Sequence, residues 1–115
     1  MWLNEGVAQL MEPRSASMYA QSLAPLFQQR KAIPLSVLEH SFTRFNSIQA
    51  EVAYAESLSA TEYLRDRYGM GEIVRMLKSI GSGVGSEEAL QHSTGMDYSA
   101  LEQRIGDHLA EASRR

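Results

Sequence analysis

The chain has 115 residues, 43% of them hydrophobic and 22% charged, which is the make-up of one globular domain with a modest core. Its 14 acids and 11 bases leave a net charge of -3 with no basic run beyond the terminal Arg114 and Arg115, so the sequence excludes an electrostatic grip on nucleic acid. Cysteine is absent, which excludes a disulfide framework, a thiolate nucleophile and cysteine-ligated zinc, and leaves the compartment unknown. No apolar run approaches the roughly 20 residues that a membrane-spanning helix needs.

Apolar residues recur at spacings of three and four and β-branched runs are missing, so the sequence predicts an all-α domain, a compact bundle of five to six helices spanning residues 1–115. The first helix should cover about residues 3–12, with Leu3, Val7, Leu10 and Met11 on one side, and stop before Pro13. A second should run from about Ser15 to Lys31, bearing Met18, Tyr19, Leu23, Leu26 and Phe27, with a kink or break at Pro25. Ser36 and Glu39 have the spacing of a capping box and should open a short helix. The longest helix should begin at Asn46 or Ser47 and stop at Gly69. Its apolar residues fall on two sides, Val52, Ala53, Ala60, Tyr63, Leu64 and Tyr68 on one and Tyr54, Leu58 and Thr61 on another, which requires more than one packing neighbour. Another helix should cover residues 71–80 and bury Ile73, Met76, Leu77 and Ile80. The stretch Gly81 to Ser86 follows a helix, lacks a Lys-Ser/Thr ending and precedes Glu87 and Glu88, so it reads as a cap and linker and not as a phosphate cradle. A short helix from Ser86 and a last one from Asp97 or Ser99 complete the chain, with a second capping box at Ser99 and Glu102.

The residues give few leads to chemistry. His40, His92 and His108 share no metal-ligand spacing, and no serine sits in a nucleophile elbow. Glu56 lies between Val52 and Ala60 on an apolar side of the long helix, where a buried carboxylate needs a partner such as an arginine.

The opening Trp2-Leu3-Asn4-Glu5-Gly6-Val7-Ala8 resembles the W-L-x-E-G-x-A segment of gluzincin zinc metallopeptidases, among them the peptidase MA-like family. Tyr54-Ala55-Glu56-Ser57, Tyr63-Leu64, Tyr68-Gly69 and Glu87-Glu88-Ala89-Leu90 extend the likeness over most of the chain. The resemblance implies a zinc-dependent peptidase in which Glu5 is the third zinc ligand, and it singles out Tyr54 as an oxyanion-stabilising tyrosine. Two features depart from the pattern: the family's HExxH helix is absent, since no His-Glu pair occurs anywhere, and Glu56-Ser57 replaces the Lys-Gly that follows the tyrosine in the large aminopeptidases. A single carboxylate cannot hold zinc tightly or activate water. The expectation is therefore the C-terminal helical part of a longer catalytic domain: zinc and a peptide or protein substrate belong to the intact parent, no cofactor to this chain alone, and the chain in isolation is inactive. The partner would be the missing N-terminal half. The face turned toward it, with Trp2, Leu3, Tyr54 and Leu58, should be exposed or covered by self-association into a homo-oligomer. The rival reading is a non-catalytic helical interaction module.

Overall fold

A computed structural model describes residues 1–12 and 19–114. Among them the structure is all-helical: α1 (Trp2–Leu10), α2 (Ala20–Gln28), α3 (Leu35–Leu38), a 3-10 turn (Phe42–Arg44), α4 (Ser47–Tyr68), α5 (Met70–Gly81), α6 (Ser86–Thr94) and α7 (Tyr98–Ser113). The helical bundle is as expected, with seven α-helices in place of five to six. The expected Ser15 start, Met18, the Pro13 stop and Arg115 lie outside the described residues.

Helix α4 organises the molecule. Asn46 and Gln49 close a reciprocal capping box at its start: the Gln49 backbone N–H donates to the Asn46 side chain at 2.8 Å and the Asn46 N–H to the Gln49 side chain at 3.1 Å. At its end Gly69 adopts φ 90° and ψ 158°, a backbone state that only glycine takes without strain, and α5 starts at the next residue. The chain thus turns a corner on one residue. Between these limits Ala53 and every residue from Ala55 to Thr61 are buried, because α1, α2, α5 and α7 all pack on α4. Ser57, Ser59 and Thr61 survive burial by donating their hydroxyls to the carbonyls of Ala53, Ala55 and Ser57, each at 2.8 Å.

Pro25 is accommodated inside α2, which packs on α7 where Gly106 lies beside the Phe27 ring. Helix α5 buries Ile73 and Met76, half-buries Leu77 and Ile80, and pairs Glu72 with Arg75 on its outer side. Among the described residues no helix is long and apolar enough to cross a membrane.

Both expected capping boxes are corrected. Helix α3 begins one residue before Ser36, and the Glu39 carboxylate accepts from the Tyr98 hydroxyl at 2.5 Å. Helix α7 is capped by Asp97, whose side chain accepts from Ala100 N–H at 2.8 Å, and Glu102 accepts from the Leu35 N–H at 2.9 Å. Glu87, on α6, accepts from the Tyr98 N–H at 2.8 Å. These carboxylates satisfy amides and hydroxyls of other segments, an option invisible to a rule based on local spacing.

Candidate functional site

Glu5 sits in the middle of α1, and α1 is held by the contact it makes one residue later. A Cβ on Gly6 would lie 1.9 Å from Thr61 Oγ1 and 2.5 Å from the Ser57 carbonyl oxygen, so the two helix backbones meet where no side chain fits. Gln9, one turn on, donates through Nε2 to the Tyr54 carbonyl at 2.7 Å and to the Glu5 carbonyl at 3.4 Å. The register, Gly6 against Ser57 and Thr61 and Gln9 against Tyr54, makes α1 antiparallel to α4. Glu5 is half-buried at the edge of this contact, on the Trp2 and Gln9 side, and no hydrogen bond or ion pair engages its carboxylate among the described residues. Trp2, Gly6 and Gln9 are buried around it, while Asn4 and Ala8 face solvent.

Tyr54 lies on the turn of α4 that Gln9 engages. Its ring meets Phe42 edge-on, centroids 5.3 Å apart and planes at 72°, and the residue remains 40% exposed. The two residues singled out by sequence therefore occupy adjoining turns of two packed helices.

The start of α1 is fixed by a contact with no counterpart in the sequence reading. Trp2 is 1% exposed, and its indole Nε1–H donates to the Tyr98 hydroxyl at 3.2 Å, which in turn donates to Glu39. The rings stand nearly perpendicular, 6.2 Å apart. Burial, and then the hydrogen bond to Glu39, raise the Tyr98 phenol pKa above its ordinary value, so the hydroxyl keeps its proton. Tyr98→Phe would strand the buried indole N–H and remove the donor to Glu39. Its expected cost is about 1–3 kcal/mol in urea unfolding, with Trp2 fluorescence as the reporter.

The expected exposed face is not there. Trp2, Leu3 and Leu58 are 1%, 1% and 0% exposed, because α1, α4 and α7 cover one another within the single chain. Of the four residues assigned to that face, Tyr54 alone reaches solvent.

A sequence model of the peptidase MA superfamily matches residues 1–111. The chain belongs to the peptidase MA superfamily. No curated protein and no solved structure matches significantly. The peptidase MA match covers the Glu5 segment, Tyr54 and all seven described helices up to the last turn of α7.

The three histidines of this peptidase MA domain are dispersed. His40 follows α3 and is exposed, His92 lies 4.0 Å from Glu88 on α6, and His108 places its ring 5.9 Å from that of Tyr63. No group of three His, Asp or Glu side chains converges as a metal site among the described residues. As a test of fit, Glu5 offers one half-buried carboxylate on a fixed helix, which suits one ligand position and leaves the others to be filled from elsewhere. Two shallow clefts lie away from it, one lined by His40, Arg44 and Phe45, the other by Arg30, Pro34 and Glu102.

Glu56 is 2% exposed and takes no arginine. Its Oε1 accepts from the Ile33 backbone N–H at 2.8 Å. Burial pushes its carboxyl from 4.5 to about 8, the Ile33 hydrogen bond acts in the opposite sense, and the nearby Glu102 charge adds to the rise. The partner that sequence reasoning sought in a cation is a backbone amide and, below pH 8, a proton.

Proposed function

We propose that this chain is the helical subdomain of a zinc-dependent, gluzincin-type peptidase, contributing Glu5 as the carboxylate ligand and Tyr54 as a hydrogen-bond donor to the substrate. In this reading the two imidazole ligands and the general base come from outside these 115 residues. The observation that carries it is the Gln9 bridge, which ties the turn bearing Glu5 to the turn bearing Tyr54 across a crossing fixed by Gly6. Such a helix pair fixes the backbone from which the Glu5 carboxylate projects and leaves the carboxylate oxygens uncommitted, so that they are available to a metal. Zinc, when bound, would polarise the scissile carbonyl and acidify a water molecule. The chain's own contribution is to fix one donor oxygen at Glu5 and to offer the Tyr54 phenol O–H to the oxyanion that develops on that carbonyl.

Two measurements test this reading. Calorimetric titration of the 115-residue chain with zinc is expected to show no nanomolar site, and nanomolar affinity would overturn the idea of a shared site. In a polypeptide that also carries the imidazole donors, Glu5→Gln should lower zinc affinity by at least about 100-fold. Tyr54→Phe should leave zinc affinity unchanged and lower kcat by roughly 10²–10³-fold. Full zinc retention by the Glu5→Gln protein would refute the assignment.

A further inference from the structure

Residues 33–35 cross from α2 to α3 and contain only two backbone N–H groups, because Pro34 has none. Both are taken by carboxylates from two different helices: Ile33 by Glu56 of α4 at 2.8 Å and Leu35 by Glu102 of α7 at 2.9 Å. The preceding turn is tied separately, Lys31 and Ala32 donating to the Leu26 carbonyl. We propose that Glu56 and Glu102 form a proton-controlled clasp over residues 33–35, fastened in acid and progressively loosened as the pH rises.

The surroundings support a proton as the controlling ligand. Helix α2 carries no ionisable side chain over residues 20–28, and Arg30 and Lys31 beyond it are exposed. On α7 the group facing Glu56 is Glu102, a like charge, while His108 meets Tyr63 two turns further along. Glu5 lies at the edge of the α1 contact with α4, and on α5 Glu72 and Arg75 pair with each other. No cation among these is bonded to Glu56, so closing the clasp over an ionised Glu56 buries an unpaired charge beside Glu102. With a proton on Glu56 the Ile33 N–H still has a carbonyl oxygen to donate to, and the repulsion disappears. In the open form Glu56 is hydrated and ionises in the ordinary carboxylate range, near 4.5, against about 8 when closed. Opening therefore gains about tenfold per pH unit between these limits and levels off above the upper one.

Amide hydrogen exchange followed by NMR, corrected for the intrinsic pH dependence of exchange, tests the clasp. The protection of the Ile33 and Leu35 amides should fall roughly 100-fold between pH 5.5 and 7.5, with both exchanging faster than the Leu64 amide at every pH. In Glu56→Gln, which keeps the acceptor oxygen and cannot ionise, the same protection should be flat. A flat wild-type profile, an equal slope in the variant, or exchange of Ile33 and Leu35 only in step with Leu64 would overturn the proposal. So would a carbon-13 titration placing the wild-type Glu56 carboxyl midpoint at or below about 5, a measurement independent of whether the variant folds.

Discussion

Gly6→Ala is expected to be among the most disruptive single substitutions in this chain, lowering stability by about 3 kcal/mol and the melting temperature by roughly 10–15 °C. The added methyl group would meet Thr61 Oγ1 at 1.9 Å and the Ser57 carbonyl oxygen at 2.5 Å. The threonine can change rotamer, but the carbonyl belongs to the α4 backbone, so α1 must lift away. That displacement would stretch the 2.7 Å Gln9 bond to Tyr54 and loosen the packing of Trp2 and Leu3 on the same helix. Adding Thr61→Ala should recover part of the loss and not all of it, since the Ser57 oxygen remains. Differential scanning calorimetry of the two variants checks this; a Gly6→Ala protein melting within about 2 °C of wild type would show that the helices do not meet so closely.

Glu56→Gln should act in the opposite direction and stabilise the protein. The wild-type carboxyl ionises at 4.5 in the unfolded chain and at about 8 when folded. Between these values the folded state binds the extra proton, so stability falls as pH rises, by about 1.4 kcal/mol per unit, until the slope vanishes above pH 8. At pH 4 the folded state is protonated and about three-quarters of the unfolded chains are too, so the variant and wild type should differ by only about 0.2 kcal/mol. At pH 7 the variant should be ahead by about 3 kcal/mol, the cost accumulated over the interval from 4.5. Urea unfolding at pH 4.5, 6, 7 and 8 reads this directly. A constant difference between the two proteins across that range would mean that Glu56 does not titrate with folding.

Much of this arrangement was legible in the sequence. The limits of α4 followed from Asn46 and from Gly69, local signals that no tertiary contact overrides. Its burial on several sides followed from apolar residues spread around the helix. What sequence could not reveal was the destination of the long carboxylate side chains. Glu39 and Glu102 each stand three residues after a serine, yet their oxygens reach Tyr98 and Leu35, 59 and 67 residues away in the chain. Tyr98 carries no spacing signal at all, since its role depends on α7 beginning where α1 begins and α3 ends. The exposed face expected of a subdomain failed for a related reason: α4 has enough neighbours within these residues to cover Trp2, Leu3 and Leu58.

The enclosure of α4 also bears on how the molecule comes apart. A helix with a wet side keeps much of its solvation when one neighbour leaves, but the stretch from Ala55 to Thr61 has none to keep. Its small side chains, Ala55, Ser57, Ser59 and Ala60, offer little apolar area of their own, so this stretch owes its order to the surrounding shell. Probes at Trp2 on α1 and at Tyr98 on α7 should accordingly report one shared transition, because the axle they turn on cannot outlast either of them.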